Sequence, residues 1–183
     1  QYEQAIRLYQ LLSGGNPKKI PLQQFILGIM LDDILTYANE FFSLLSRGRY
    51  SLRRLEGSAG GNAKSGLDLE VLDGFTGAPR SIETLSGGEQ FLASLSLAFG
   101  LSDVVQSYSG SVRLDSIFID EGFGSLDQDT LDTAMKALSQ IQKMGRTVGI
   151  ISHVSELKNR IATQVQVHPS KNGGSSITMI KDA

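Results

Sequence analysis

The alternation of apolar and polar positions divides the chain into helical and extended stretches. Over Gln1 to Leu12, Ile6, Leu8, Leu11 and Leu12 stand among polar residues and predict a short helix, which Ser13-Gly14-Gly15-Asn16-Pro17 breaks. From Pro21, residues Leu22, Phe25, Ile26, Ile29, Met30, Tyr37, Phe41, Leu44 and Leu45 recur at mostly helical spacing. They predict a long amphipathic helix with Pro21 in its first turn and an end near Gly48. Such a stripe either packs against a core, the commoner case, or docks a partner. A strand beginning near Tyr50 and the alternating run Leu67-Asp68-Leu69-Glu70-Val71-Leu72 predict a hairpin joined by the glycine-rich Gly57 to Gly66.

The second half reads as a strand, helix, strand unit with a helix before it. Phe91, Leu92, Leu95, Leu97, Ala98, Phe99, Leu101, Val104 and Val105 make a helix that is apolar on most sides and ends near Gln106. Ile117, Phe118 and Ile119 form a short apolar run of the kind that is buried on both faces. Leu131, Ala134, Met135, Leu138 and Ile141 follow at helical spacing, and Thr147 to Ser152 gives a second buried strand. That order implies parallel strands joined by a right-handed crossover. Val154 to Ile161 reads as a short helix, and Gln164 to His168 and Ser176 to Ile180 as strands around a turn, with His168 on the surface.

Candidate chemistry gathers at the carboxyl ends of the two parallel strands, where open sheets bind ligands. The first delivers Asp120 and Glu121, one able to hold Mg²⁺ and the other to polarise a water. The second delivers His153 to the same edge, as a phosphate sensor or hydrogen-bond partner. Upstream, Ser86 and Glu89 have the spacing of a capping box. The intervening Gly87 and Gly88 leave backbone N–H groups uncovered at a helix N-terminus, which favours an anion such as a terminal phosphate.

Two other stretches invite a functional reading. Lys64-Ser65 among glycines imitates a phosphate-cradling loop, but Ala63 replaces the required glycine and a strand follows instead of a helix, so the match is rejected. A nucleotide site here must therefore borrow its main phosphate grip from another polypeptide. Arg47, Arg49, Arg53 and Arg54 fit either contact with a phosphate backbone or the charged protection of an edge strand.

Composition limits these readings without redirecting them. With 183 residues and 40% apolar content, the chain can build one substantial core. The lack of cysteine excludes disulfides and thiolate metal sites, and a net charge of −2 argues against a generally basic nucleic-acid binder. No stretch approaches a membrane span, so the expectation is a soluble, cytoplasmic protein. An opening Gln1 in place of Met is read as the start of a piece.

Together these motifs resemble ABC-type ATPases. Leu85 to Gln90 is similar to their signature motif, Ile117 to Glu121 to the Walker B strand, Gly124 to Asp127 to the D-loop, and His153 to the switch histidine, all in the family's order. The string Asp120-Glu121-Gly122-Phe123-Gly124-Ser125-Leu126-Asp127, with Ile151-Ser152-His153-Val154, resembles the SbcC family, the ATPase subunits of bacterial SbcCD double-strand-end nucleases. Transporters usually place Pro where Gly122 stands, and the Gly-Phe-Gly string also speaks against an SMC-like or RecN-like chromosome-organising ATPase, the alternative reading.

The resemblance implies an α/β fold: the C-terminal lobe of an ABC-type ATPase head, a parallel sheet flanked by helices and preceded by the base of a coiled coil. Residues 1–48 would form the coil base and long helix, and 49–183 the lobe. The implied cofactors are ATP and Mg²⁺. Asp120 would hold the metal through water, Glu121 would activate the attacking water, and His153 would contact the γ-phosphate. Ser86, Gly87, Gly88 and Glu89 would clamp ATP held by a second head, with Asp127 near that interface. The implied partners are the N-terminal half of the same head, which carries the Walker A lysine; a second head in a homodimer; an SbcD-type nuclease subunit docked on the helix from Pro21; and double-stranded DNA. The piece alone is expected to be inactive as an ATPase.

Overall fold

The computed structural model describes residues 2–55, 67–110, 114–170 and 173–181. The glycine-rich connection from Gly57 to Gly66, with its Lys64-Ser65 decoy, lies outside them. Helices α1 (Tyr2–Leu12) and α2 (Leu22–Leu45) come first, then an antiparallel sheet of β1 (Tyr50–Arg54), β2 (Leu69–Asp73) and β3 (Ala78–Ser81) in that order. Helix α3 (Gly87–Ser109) leads to the parallel pair β4 (Ser116–Asp120) and β5 (Thr147–Ile151), connected through α4 (Gln128–Lys143). A single turn, α5 (Ser155–Lys158), and the antiparallel hairpin of β6 (Thr163–Pro169) and β7 (Ser175–Lys181) complete it.

The predicted hairpin exists, with Tyr50 opposite Asp73 and Arg54 opposite Leu69. β3 was not foreseen. Pro79 discourages a strand reading, and β3 is an edge strand, the place in a sheet where proline is tolerated.

Helix α2 corrects the expected packing. Its buried residues are Gly28, Leu35, Ala38, Phe42 and Leu45, whereas Leu22, Phe25, Ile26, Ile29 and Met30 of the predicted stripe are exposed. The helix is apolar on more than one face, so periodicity alone does not select the one that meets α3. Close approach selects it: a Cβ on Gly100 of α3 would lie 2.5 Å from the Ile34 carbonyl oxygen and 2.8 Å from the Ala38 nitrogen. Phe41 and Phe99 pack across this contact with centroids 5.1 Å apart. At about 1.5–3 kcal/mol per fully buried large apolar side chain, Phe42 and Phe99 are major contributors to the core.

β4 also departs from expectation. Ile119 is buried, but Phe118 on the opposite face is 74% exposed, so the strand is covered on one side only. The neighbouring residue of β5, Gly149, has no side chain to shield that ring and the ring lies over it. The exposed Val165, Val167, Ile177 and Met179 of β6 and β7 add to the apolar surface outside the core.

Candidate nucleotide-hydrolysis site

The Asp120-Glu121-Gly122 turn is the most constrained backbone in the candidate site. β4 ends at Asp120, and the Glu121 N–H donates to the Ile151 carbonyl at 2.9 Å, carrying the ladder one residue further. Glu121 then takes φ +59°, a left-handed conformation that costs an L-residue about 1–2 kcal/mol. Gly122 follows at φ +96°, where a Cβ would lie 2.1 Å from the Phe91 ring. Phe91 meets the buried Phe123 edge-on with centroids 5.0 Å apart. The α3 aromatic therefore closes over the turn, and only glycine leaves room for it.

This turn brings Glu121 to His153. Their Oε2 and Nδ1 atoms are 2.9 Å apart, a hydrogen bond from Nδ1–H to the carboxylate when that nitrogen carries the proton. The pair is open, with the histidine side chain 83% and the glutamate side chain 47% exposed. Asp120 is also exposed at the strand end. Among the described residues no group of three or more His, Cys, Asp or Glu forms a metal cage. One carboxylate suits Mg²⁺ bound mainly by water and nucleotide phosphates, so the residues present fit that ion.

The signature segment is built on a complete capping box. The Glu89 N–H donates to Ser86 Oγ at 3.3 Å, and the Ser86 N–H donates to Glu89 Oε2 at 2.8 Å. A Cβ on Gly87 would meet nothing within 4 Å, so this end of α3 stays open to a ligand. Gly88 instead faces the segment after Glu121, where a Cβ would lie 3.2 Å from both Ser125 O and Leu126 Cδ2. Asp127 caps α4, accepting from the Thr130 N–H and the Thr130 hydroxyl, each at 2.9 Å. These bonds hold its carboxyl below the ordinary range. Asp127, a preferred N-cap residue before the apolar run from Leu131, carried that signal in the sequence.

All of the predicted residues except Gly87 thus fall into two groups. Ser86, Gly88, Glu89 and Asp127 line one cleft of about 410 Å³, while Asp120, Glu121 and His153 lie outside its lining. Glu89 is committed within the protein: Oε1 accepts from the Tyr50 hydroxyl at 2.7 Å while Oε2 holds Ser86. Burial pushes its carboxyl up, but the Ser86 N–H and Tyr50 hydroxyl outweigh this and its pKa lies below the ordinary value.

The four arginines are occupied as well. Arg47 donates to the Asp129 carbonyl and Thr133, Arg49 pairs with Asp73 and Glu89, Arg53 with Glu70, and Arg54 with Asp32. β1 is an edge strand, so the protective reading fits the geometry better than phosphate contact. Sequence reasoning missed Tyr50, which holds Glu89, and Arg80 and Asp73 behind it, because no local pattern links three strands to a helix cap.

The profile of the family described as SbcC/RAD50-like, Walker B motif, matches residues 64–140. The SbcC component of the SbcCD nuclease of Vibrio cholerae is 51% identical over 173 residues, 94% of this chain and 17% of that protein. The Staphylococcus aureus protein of the same name is 48% identical over 165 residues, 90% of this chain and 16% of its own. This chain therefore spans about a sixth of the length of the relatives it matches. A solved chain from work on ATP-driven dimerization and DNA-stimulated activation of SMC ATPases shares the fold, with a TM-score of 0.63 at 19% identity, covering 86% of this chain and 89% of that one. No described helix is long and apolar enough to cross a membrane. With half its residues identical to SbcC proteins along nearly its whole length, the chain belongs to the SbcC family of ABC-type ATPases.

Proposed function

We propose that this chain is the part of an SbcC-type head that supplies the hydrolytic carboxylate for one ATP and the phosphate clamp for another. The observation that carries the reading is the turn at Glu121. A left-handed residue presents its carboxylate to His153, beside Asp120, at the end of a parallel strand pair. Such strain persists only where the surrounding structure over-determines it, and it clusters at functional sites.

In this reading Glu121 takes the proton of the attacking water and His153 orients that carboxylate and reaches the γ-phosphate. Asp120 would hold Mg²⁺, which would supply stabilisation of charge on the phosphates. Ser86, Gly87 and Gly88 turn the open N-terminus of α3 toward the terminal phosphate of ATP on a second head, with Asp127 at the same cleft. The separation of the two residue groups and the exposure of Glu121 and His153 support a site completed by other surfaces, since phosphoryl transfer needs a closed, dry environment. The N-terminal half of the head would bring the Walker A lysine, and this chain alone would not hydrolyse ATP. Its packing would explain the exposed Phe118 and Ile151.

ATP-driven closure of two heads would then regulate a nuclease subunit acting on double-stranded DNA ends. The coil base, residues 1–48, offers that subunit an apolar groove lined by Leu11, Leu12, Ile20, Leu22 and Phe25. Polar substitutions at Phe25 and Ile29 should weaken nuclease binding, and intact binding would remove the dock from the proposal.

The test is ATP hydrolysis and ATP-dependent dimerisation of the full-length protein, wild type against Glu121→Gln. Loss of a general base should slow hydrolysis by about 10²–10⁴-fold while the ATP-bound dimer accumulates. A variant that hydrolyses ATP at the wild-type rate sinks the assignment of Glu121.

A further inference from the structure

We infer that Tyr50, backed by Arg80 and the buried Asp73, is a positioning residue for the signature serine, acting through Glu89. The inference rests on the proposed clamping role of Ser86 and deepens it. A line of polar contacts runs from the antiparallel sheet to Ser86, hydrogen-bonded from Arg80 onward and ion-paired behind it. Asp73, only 3% exposed at the end of β2, accepts from the Arg49 guanidinium at 3.1 Å and lies 3.7 Å from that of Arg80. Arg80 donates to the Tyr50 hydroxyl at 3.1 Å. That hydroxyl donates to Glu89 Oε1 at 2.7 Å, and Glu89 Oε2 accepts from the Ser86 N–H at 2.8 Å.

Each member is held from more than one side. Arg49 and Arg80 lie over the Tyr50 ring, 4.6 Å and 5.4 Å from its centroid. Arg80 also donates to the Thr84 carbonyl at 3.0 Å, two residues before Ser86. The Tyr50 N–H donates to Ser46 Oγ, and Asn39 brackets Leu52 with its carbonyl and amide at 2.6 Å and 2.7 Å, so β1 is tied to α2. A capping box needs only Ser86 and Glu89. The additional contacts fix a carboxylate that would otherwise rotate on a half-exposed helix end, and they connect the end of α2 to the signature turn.

A fixed Glu89 holds the Ser86 backbone in one place and leaves its hydroxyl and the Gly87 N–H in register for an incoming phosphate. Preorganised donors of this kind cost no reordering when the ligand arrives. Removing the Tyr50 hydroxyl should therefore weaken the closed dimer and slow turnover, and leave ATP binding to a single head unchanged, because that grip lies elsewhere.

The experiment uses full-length protein carrying Tyr50→Phe, Glu89→Ala or both. Readouts are the ATP-dependent dimerisation constant, kcat and KM for hydrolysis, single-head ATP binding and Tm. Tyr50→Phe keeps the ring and its stacking on both arginines but removes a hydrogen bond within the folded head, so Tm should fall only modestly. The dimerisation constant and kcat should fall by about tenfold, the worth of one hydrogen bond to a charged group, with single-head binding unaltered. The double variant should lose no more than Glu89→Ala alone, since both ends belong to one relay. Wild-type closure together with Tyr50→Phe closure and turnover at the same level overturns the relay alone. Additive losses in the double variant do so too, since they make Tyr50 a general structural residue. A wild type that neither dimerises nor hydrolyses ATP overturns the proposed function and the relay together.

Discussion

Replacing Gly122 by alanine tests whether the acidic turn is held by the α3 aromatic. The new Cβ would lie 2.1 Å and 2.3 Å from two Phe91 ring atoms. Ordinary carbon contact is about 3.5 Å, so ring or turn must shift by about 1.4 Å. Phe91 cannot retreat freely, because it packs edge-on against Phe123, which is 1% exposed. The backbone adds its own cost, since φ is +96° and an L side chain there is strained by about 1–2 kcal/mol. With about 1–3 kcal/mol for overpacking, the combined cost is ~2–5 kcal/mol, and a value of ~3 kcal/mol is already a large part of a typical stability of ~5–15 kcal/mol. For a unit of this size that lowers Tm by ~6–12 °C. Calorimetry of full-length protein reads the shift, and steady-state ATPase assays should show a larger proportional loss because Glu121 is the adjacent residue. Gly124→Ala is the internal control: its Cβ would meet only Val154 Cγ2, at 3.8 Å, and should change stability by no more than ~0.5 kcal/mol. Equal effects of the two substitutions, or an unchanged Tm in Gly122→Ala, would refute the argument that Phe91 fixes the turn.

Gly100→Ala should separate α2 from α3, since its Cβ would lie 2.5 Å from the Ile34 carbonyl oxygen; a loss of ~1–3 kcal/mol is expected in thermal unfolding. Gly87→Ala has the opposite profile: its Cβ meets no atom within 4 Å, so Tm should hold while ATP-driven dimerisation, measured by light scattering, falls. Loss of stability without loss of dimerisation would reverse the role given to Gly87. Acid should weaken the hold on the signature turn. The Glu89 carboxyl has a lowered folded pKa, so its contribution is fully present above the unfolded value of about 4.3 and disappears as pH falls through the folded one. The Tm difference between wild type and Glu89→Gln should therefore shrink on acidification, and a difference that grows would contradict the sign.

Much of the chain's organisation was legible before any tertiary contact was known. The helix over Tyr2–Leu12, the hairpin of Tyr50–Arg54 with Leu69–Asp73, the capping box at Ser86 and Glu89, and the parallel pair ending at Asp120 and Ile151 all follow from local signals. Periodicity, caps and turn residues act within a few positions, so a sequence reports them directly. The meeting of Glu121 with His153 was legible for the same reason, because two parallel strands in register must end at one edge.

What the tertiary structure alone decided is which of several permitted arrangements each residue takes. Apolar residues surround much of α2, and the close approach of Gly100 to Ile34 and Ala38 chose Leu35, Ala38, Phe42 and Leu45 as its buried side. Phe118 sits in an apolar run that looks doubly buried, yet nothing among the described residues covers its outer face. Arg49 carried a charge free to meet any anion until the fold placed Asp73 and Glu89 beside it. Tyr50 and Glu89 are thirty-nine positions apart, and no periodicity relates them. Local sequence sets the conformation of each element through short-range sterics and hydrogen bonding, whereas burial, ion pairing and the strain at Glu121 depend on distant segments that become neighbours only when the chain folds.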